Sequence, residues 1–373
     1  MTPNVTALHD LHQGLGAHFT DFGGWQVPLK YGSELAEHRA VREAAGLFDL
    51  SHMGEVRVTG QDAGAFLDFA LVGKLSALPV GKARYSLICA ADGGIIDDLI
   101  TYRLADDGYL VVPNAGNTPA VLAALEERAA GFGATVADET RRTSLLAIQG
   151  PRAVAVLGTL LSAEDAERVA GMAYYSCTRA TVAGHDALVA RTGYTGEDGF
   201  ELFVGNEAAV AVWSALEEAG REAGLVPCGL AARDSLRLEA GMPLYGNELS
   251  LQTSPFEAGL GRVVALAKEG DFVGRAALQQ QKDAGRGTTS GQRLVGLRGL
   301  GRRAARSHYP VSAEGRQVGE VTSGQPSPTL GHPIALAYVE VECSEPGTRV
   351  DVDVRGKAEP FEVVPLPFYR RRS

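Results

Sequence analysis

The chain contains few cysteines, and they are too far apart in sequence to form a local metal site. Four cysteines are spread singly over 373 residues, as Cys89, Cys177, Cys228 and Cys343. No Cys-x-x-Cys pair and no His-Glu-x-x-His motif occurs, so the sequence predicts neither a structural zinc site nor a disulfide framework. We expect no bound metal and four ordinary, partly buried thiols.

The common signatures of nucleotide, membrane and nucleic-acid binding are also missing. Neither Gly-x-Gly-x-x-Gly nor a Walker phosphate loop is present. No stretch approaches the roughly 18 apolar residues of a membrane helix, and the N-terminal residues contain no signal-peptide core. With 35 Lys+Arg against 45 Asp+Glu, the net charge is −10, which disfavours nonspecific binding to nucleic acid or an anionic membrane. We expect a cytoplasmic protein with no nucleic-acid or membrane partner.

The residues that are present predict a globular protein of more than one domain. A length of 373 residues exceeds the usual span of about 100 to 200 residues for one domain. Amphipathic helices are predicted over 118–129 and 206–220. The strand-like runs between and around them lie at 55–59, 109–112, 144–149 and 200–204. The first 270 residues therefore favour the α+β class.

The composition changes after about residue 285. Short β-prone runs, separated by Gly, Pro and Ser, follow at 293–297, 317–322, 334–339 and 349–354. They predict a separate C-terminal all-β domain. The polar segment 279–292 is predicted to be the connection to it.

An acidic residue in a predicted hairpin is the first candidate for chemistry. A turn at 92–94 joins two β-prone runs, and the period of two in the second run places Asp98 on one face with Tyr102 and apolar neighbours. Tyr85, in the first run, lies close to that face, so the hairpin could form the wall of a site for a flat ligand. Alternatively, Asp97 and Asp98 are solvated residues that flank the turn.

A second candidate lies in a glycine-rich stretch at 191–202. Gly193, Gly196 and Gly199 allow unusual backbone conformations and the close approach of a ligand. Glu201 follows them in a strand, where a carboxylate could accept hydrogen bonds from a ring N–H and an exocyclic amine of a 2-amino-4-oxo pteridine or guanine. The alternative is a loop that is simply rich in glycine.

A third candidate is a predicted helix within 228–245. Steps of about 100° place Arg233 and Arg237 on its inward-facing arc. A buried guanidinium needs an anionic partner, because an unpaired charge is costly to bury. The partner is either a ligand carboxylate or a structural acid such as Asp234, Glu239 or a more distant residue.

Six motifs occur in order along the whole chain, at 22–25, 48–53, 94–99, 191–196, 229–241 and 322–331. They read Phe-Gly-Gly-Trp, Phe-Asp-Leu-Ser-His-Met, Gly-Ile-Ile-Asp-Asp-Leu, Arg-Thr-Gly-Tyr-Thr-Gly, a run from Gly229 to Gly241, and Thr-Ser-Gly followed by Ser-Pro-Thr-Leu-Gly. Together they strongly resemble the aminomethyltransferases, or T proteins, of the glycine cleavage system.

The resemblance implies a three-domain, folate-binding α+β fold arranged around a central cleft. The first domain would comprise 1–50 and about 137–245, interrupted by a second domain of about 51–136 and about 246–280. A C-terminal β-barrel or jelly-roll-like domain would follow at about 285–373.

The activity that the resemblance implies is a one-carbon transfer. Tetrahydrofolate would be the cosubstrate, and the lipoyl-carrying H protein would be the macromolecular substrate. The products would be 5,10-methylenetetrahydrofolate, ammonia and reduced lipoyl, and no metal would be required.

The resemblance also implies roles for individual residues. Asp98 matches the key catalytic carboxylate of the family, Glu201 the residue that recognises the pteridine, and Arg233 a ligand-binding arginine. The remaining implied residues of the folate cleft are Tyr85, Tyr102, Asn114, Tyr174, Tyr194, Met53 and Tyr369.

Two other functions of the same superfamily remain to be weighed. A noncatalytic folate-binding protein is disfavoured by the intact Ile-Asp-Asp-Leu segment at 96–99. The folate domain of a flavin-dependent sarcosine or dimethylglycine demethylase would require a dinucleotide-binding domain, and its fingerprint is missing.

A basic segment offers a hypothesis about the macromolecular partner. Arginines cluster within 298–306 and again at 370–372, although the chain as a whole is acidic. Either these are solvated surface residues, or the 298–306 segment steers an acidic carrier protein towards the site.

Overall fold

The structure is a computed structural model that describes residues 3–284 and 290–371. The chain divides into two compact units. Unit 1 comprises Met1–Asp68, Leu75–Tyr85 and Leu99–Asp234, and unit 2 comprises Phe69–Lys74, Ser86–Asp98 and Ser235–Ser373. The three-domain boundaries expected from the sequence stay a prediction.

Most of the helices and strands up to residue 234 belong to unit 1. Its helices are α1 (His9–Gly14), α2 (Glu34–Glu43), α4 (Thr118–Arg128), α5 (Ala153–Gly158), α6 (Ala163–Ala170) and α7 (Asn206–Gly220). Its strands are β1 (Asn4–Val5), β2 (His18–Phe22), β3 (Trp25–Lys30), β4 (Ala45–Asp49), β5 (Val56–Thr59), β8 (Gly108–Val112), β9 (Thr135–Asp138), β10 (Thr143–Gln149), β11 (Cys177–Val182), β12 (His185–Ala190), β13 (Gly199–Gly205) and β14 (Leu225–Pro227). Four elements contribute residues to both units: α3 (Ala63–Ala70), β6 (Ala83–Cys89), β7 (Ile95–Ala105) and α8 (Leu230–Glu239).

A six-stranded sheet forms the centre of unit 1, with the strand order β11-β12-β13-β10-β4-β14. Apolar residues of β10 and β13, among them Ile148, Phe200 and Leu202, are fully buried. They pack in one core with Trp213 and Leu216 of α7. Because β13 lies between β12 and β10, any side chain at its middle is flanked by two strands.

The two predicted helices are confirmed as α4 and α7. In α7 the buried residues include Ala209, Val212, Trp213 and Leu216, which recur at helical spacing. The apolar pattern of the sequence also suggests Val210 for this side, but Val210 is 44% exposed. The correction follows from the 100° step, which turns Val210 away from the face that Ala209 and Val212 occupy.

A second sheet of five strands contains the predicted hairpin, in the order β6-β7-β8-β5-β9. The turn at 92–94 is confirmed: Ala90 N donates to Gly94 O at 2.8 Å, and Gly93 N donates to Ala90 O at 3.0 Å. Gly93 has a φ of 88°, a left-handed conformation that favours glycine.

Burial along β7 alternates, and it assigns the two acids of the hairpin to different faces. Asp97 is completely buried, whereas Asp98 is half-buried together with Ile96 and Ile100. The alternative of two solvated acids is therefore wrong for Asp97. Asp98 lies on the face that the period of two predicts, but that face is the more exposed one.

Unit 2 contains α9 (Arg275–Asp283) and a closed barrel. The barrel strands are β15 (Gln292–Gly299), β16 (Pro310–Ala313), β17 (Arg316–Pro326), β18 (Pro333–Glu340), β19 (Arg349–Asp353) and β20 (Ala358–Val364). Closure in the order β15-β18-β17-β16-β19-β20 leaves no open sheet edge, and Leu297, Val321 and Phe361 are fully buried in the barrel core.

The barrel confirms the predicted C-terminal all-β domain. The connection to it is shorter than predicted, because α9 extends to Asp283. Part of the predicted connection, residues 285–289, lies outside the described residues.

No helix within residues 3–284 and 290–371 has both the length and the apolar character that crossing a membrane requires. All four cysteines are free thiols, and burial raises the pKa of Cys177 to about 11. In the same residues, no group of three or more His, Cys, Asp or Glu side chains is placed to hold a metal ion.

Candidate functional site

The carboxylate of Glu201 lies in the middle of the central sheet of unit 1. Glu201 is opposite Ala147 on β10 and Ala190 on β12, and these small neighbours leave space for its side chain. The Thr192 hydroxyl donates a short hydrogen bond to Oε2, and the Tyr102 hydroxyl donates to the same oxygen at 3.2 Å. No described residue donates to Oε1. One oxygen of a carboxylate that is 8% exposed therefore remains available to a ligand.

Tyr102 is suited to its role as a donor. Its ring is buried, and its hydroxyl lies 3.0 Å from Thr192 Oγ1. Burial raises the pKa of Tyr102 well above its ordinary value, and the nearby Glu201 carboxylate raises it further. Tyr102 therefore stays protonated and continues to donate to Glu201.

Gln149 fixes the loop that carries Thr192. Its Nε2 donates to Thr192 O at 3.0 Å, and its Oε1 accepts from Thr195 Oγ1 at 2.8 Å. A Cβ at Gly193 would overlap with the Gln149 side chain, and one at Gly199 would overlap with Ile148 O. These two glycines thus permit close packing within the protein, and the expectation that the glycine-rich stretch admits a ligand stays a prediction.

Arg233, on α8, combines partial burial with the absence of a protein anion. Its guanidinium lies 4.6 Å from the centre of the Tyr194 ring. Among the described residues, no carboxylate forms an ion pair with it. Burial lowers the pKa of Arg233, while Tyr194 and Glu201 favour the charged form. Of the two open alternatives for this arginine, the geometry favours an anion supplied by a ligand.

Arg237, one helical turn further, has the other kind of partner. Its Nη1 donates to Glu248 Oε2 at 2.9 Å, and both side chains are almost completely buried. For Arg237 the structural alternative is correct, with a more distant acid than Asp234 or Glu239.

In the sequence, His52 stands out only as part of the motif Phe-Asp-Leu-Ser-His-Met at 48–53, and no role is assigned to it. Its ring is 1% exposed and meets the Phe22 ring edge-on at 5.6 Å between centres. Its Nδ1 is buried and has no hydrogen-bond partner in the described part of the chain. Burial lowers the pKa of His52 to about 4, Asp49 opposes this shift, and Arg233 adds to it. His52 is therefore neutral at pH 7.

The other predicted residues of unit 1 are half-buried or exposed. Tyr174 is 43% exposed, and its hydroxyl donates to Gly193 O at 3.4 Å. Asn114 is half-buried, and its backbone carbonyl accepts a hydrogen bond from Thr118 Oγ1 at 3.1 Å. Tyr85 and Met53 are half-buried. The assignment of these four residues to a folate site stays a prediction.

Asp98 and Tyr369 belong to unit 2. Asp98 is half-buried on β7. Burial raises the pKa of Tyr245, and the negative charges of Asp97 and Asp98 raise it further. Tyr369 N donates to Glu239 O at 2.8 Å, which ties the C-terminal tail to the end of α8. Glu239 itself accepts from Ser327 Oγ and Thr329 Oγ1, so the attachment point is fixed.

Comparison with known proteins identifies the family to which this architecture belongs. The family description "GCVT N-terminal domain" matches residues 8–268, and "Glycine cleavage T-protein C-terminal barrel domain" matches residues 292–370. The chain belongs to the glycine cleavage T-protein family. The resemblance inferred from the six motifs is thereby confirmed.

Individual relatives agree with this over their full length. The aminomethyltransferase of Streptomyces avermitilis is 58% identical over 372 residues, which cover 100% of this chain and 99% of the relative. That of Bacillus subtilis is 44% identical, covering 98% and 99%. The crystal structure of glycine cleavage system aminomethyltransferase T from Bartonella henselae matches with a TM-score of 0.90 and 37% identity, over 99% of each chain.

Two of the four arginines in the basic segment at 298–306 form ion pairs with acids, and the hypothesis that this segment steers a carrier protein stays a prediction. Arg298 pairs with Glu362 at 3.1 Å, and Arg303 pairs with Glu359 at 3.0 Å. Acids on β20 thus compensate two arginines of the segment, whereas Arg302 and Arg306 are exposed. The C-terminal Arg370 and Arg371 are exposed, while Arg372 lies outside the described residues.

The neutral, buried His52 predicts a specific pH dependence of stability. The unfolded chain binds a proton at this side chain near pH 6.5, whereas the folded chain binds it only near pH 4. Between these values the unfolded state binds more protons, so the free energy of unfolding falls as the pH is lowered. A difference of about 2.5 pKa units corresponds to about 3 kcal/mol.

Lowering the pH from 7.5 to 4 should reduce the free energy of unfolding of both proteins. We expect this reduction to be about 3 kcal/mol smaller in His52→Leu than in the unmodified protein. Urea unfolding at several pH values measures this, and only the change with pH is compared, so the intrinsic effect of the substitution cancels. Parallel curves for the two proteins would show that His52 is not held neutral.

Proposed function

We propose that the chain transfers the one-carbon unit of aminomethyl-dihydrolipoyl H protein to tetrahydrofolate, giving 5,10-methylenetetrahydrofolate, ammonia and dihydrolipoyl H protein. Membership of the T-protein family and the aminomethyltransferase activity named for its relatives support an enzyme of glycine cleavage. The observation that carries the folate assignment is the Glu201 carboxylate, which uses only Oε2 within the protein.

The residues around Glu201 fit the chemistry of tetrahydrofolate. A 2-amino-4-oxo pteridine presents a ring N–H and an exocyclic amine side by side, and Glu201 Oε1 has two lone pairs with which to accept from these donors. Thr192 and Tyr102 hold the carboxylate in one orientation, so little conformational freedom is lost when a ligand binds. Arg233 would pair with a negatively charged group of the same ligand, such as a carboxylate of its glutamate tail.

The proposed reaction balances without a redox partner or a metal. The bonds from the transferred carbon to sulfur and to the leaving nitrogen break, and two bonds from that carbon to folate nitrogens form. Tetrahydrofolate supplies the two secondary amine nitrogens that accept the carbon. One of their two protons goes to the sulfur, which leaves as a thiol, and the other goes to the amino group, which leaves as ammonia.

Asp98 is the residue that we propose for stabilising the charge that develops. The leaving ammonia and the carbon being transferred both carry positive charge in the transition state. A carboxylate that is partly withdrawn from water stabilises such charge more strongly than a fully solvated one. Asp98 is half-buried on β7.

A noncatalytic folate-binding protein is the alternative to be tested. The decisive assay supplies aminomethylated H protein with and without tetrahydrofolate and measures ammonia release. Folate binding without folate-dependent ammonia release would support the alternative. The cytoplasmic location and the lack of a nucleic-acid partner stay predictions from the sequence.

We expect Asp98→Asn to fold normally and to lower turnover by roughly 10² to 10⁴, the range for losing a positioned charged group. Asp107→Asn is the matched control, since Asp107 is an exposed acid beyond the end of the same strand. Steady-state ammonia release measures both variants. Unmodified turnover in a well-folded Asp98→Asn variant would remove this carboxylate from the mechanism.

For Glu201→Gln we expect the main loss in folate affinity, roughly 10- to 100-fold. An amide has one acceptor oxygen where the carboxylate has two, and its hydrogen bonds are no longer strengthened by a negative charge. Calorimetric titration with tetrahydrofolate measures the dissociation constant. Glu126→Gln, on the exposed side of α4, is the control. Equal dissociation constants for Glu201→Gln and the unmodified protein would contradict pteridine recognition.

A further inference from the structure

The start of β7, which leads to Asp98, is held by a segment that is distant in sequence. Ile95 N donates to Ser250 O at 3.1 Å and to Thr253 O at 3.2 Å. Ile95 O accepts a hydrogen bond of 3.0 Å from the Tyr245 hydroxyl. Both backbone polar groups of a residue three positions before Asp98 are thus bonded to the segment 245–253.

This segment is itself attached to a buried ion pair. Glu248 Oε2 accepts from Arg237 Nη1 at 2.9 Å and from Leu244 N at 2.8 Å. Arg237 Nη1 also donates to Met242 O at 3.1 Å. The exposed fractions of the Arg237 and Glu248 side chains are 1% and 0%. The ion pair and its backbone contacts therefore define the course of the chain from 242 to 248.

The barrel completes the attachment. Arg237 Nη2 donates to Ser323 Oγ at 2.7 Å, and Ser323 Oγ donates to Glu248 Oε1 at 2.6 Å. Tyr338 donates from its hydroxyl to Glu248 O at 2.8 Å. Strands β17 and β18 thereby hold Glu248 at two points, its carboxylate and its carbonyl.

Such a network is weak evidence for stability but good evidence for precise placement. Desolvating two charges offsets much of their attraction, and well-packed apolar residues often serve stability equally well. Fully satisfied polar networks, in contrast, specify one arrangement of the chain. What the arrangement fixes here is the position of Tyr245, whose ionisation responds to the charges of Asp97 and Asp98.

We propose that Tyr245 is a positioning residue for Asp98, and that Arg237, Glu248 and Ser323 set the place of Tyr245. The proposal rests on the proposed function, because it assigns Asp98 to the charge-stabilising role. Tyr245 acts through the backbone of Ile95, whose carbonyl accepts its hydroxyl hydrogen bond three positions before Asp98. A small displacement of a catalytic group lowers the rate without a comparable loss of binding.

The test is Tyr245→Phe, which removes only the hydroxyl and its hydrogen bond to Ile95 O. We expect turnover to fall roughly tenfold while the Michaelis constant for tetrahydrofolate stays within about twofold. Tyr109→Phe is the matched control, since the buried Tyr109 hydroxyl has no hydrogen-bond partner in the described chain. Unchanged turnover in Tyr245→Phe would overturn the proposal.

A double mutant separates positioning from a general structural effect. If Tyr245 acts through Asp98, then Tyr245→Phe with Asp98→Asn loses no more turnover than Asp98→Asn alone. Full additivity of the two effects would overturn the proposal. Hydrogen exchange supplies a readout that does not depend on activity: amides of residues 95–98 should exchange faster in Tyr245→Phe and not in Tyr109→Phe.

These outcomes are distinct from a failure of the proposed function. If the unmodified protein releases no ammonia in a folate-dependent way, the function fails, and the hydrogen-exchange comparison still tests the contact of Tyr245 with β7. If the unmodified protein is active and Asp98→Asn is not, the proposed function stands. Normal turnover and normal hydrogen exchange in Tyr245→Phe would then contradict only the proposed positioning role of Tyr245.

Discussion

A carboxylate in the interior of a sheet needs hydrogen-bond donors, and Glu201 receives its protein donors on one oxygen only. The other oxygen is therefore where a folate could donate, so the position of Glu201 in the sheet determines where the proposed ligand binds. Gln149 holds the loop 192–195 against the end of β10, and Thr192 on that loop donates to Oε2. Tyr102 donates to the same oxygen from a buried hydroxyl, whose pKa burial raises above its ordinary value. The resulting carboxylate is fixed on one side and available on the other.

The charges around this carboxylate complement it. Arg233 is partly withdrawn from water, has an aromatic ring rather than a carboxylate beside its guanidinium, and contributes to keeping His52 neutral. A half-buried cation without a protein anion is costly unless a ligand provides one. Arg237 shows the contrast within the same helix, since its charge is matched by Glu248. One arginine of α8 thus serves the fold, while the other is suited to a ligand.

Local patterns in the sequence predicted the elements well. The apolar spacing of α4 and α7, the Asp-Gly-Gly turn and the short strands of the barrel all depend on neighbouring residues. The candidates Glu201 and Tyr102 are in direct contact, which spacing alone could not reveal. The family resemblance added roles that no periodicity provides, and those roles await experiment.

Other features depend on contacts between distant residues, and the sequence could not reveal them. The partners of Arg237 include Ser323, which is 86 positions away, and Gln149 looks in the sequence like the ordinary end of an apolar strand. Which of Asp97 and Asp98 is buried depends on what packs against each face of β7, not on their alternation. The sequence at 298–306 suggests an uncompensated basic patch because the acidic partners of Arg298 and Arg303, on β20, follow about 60 residues later.

The most direct test of the central claim is a crystal structure of the protein with bound tetrahydrofolate. We predict that Glu201 Oε1 lies about 3 Å from a pteridine nitrogen donor, while Oε2 retains its bonds to Thr192 and Tyr102. A pteridine bound elsewhere, with Glu201 contacting only those two hydroxyls, would contradict the account.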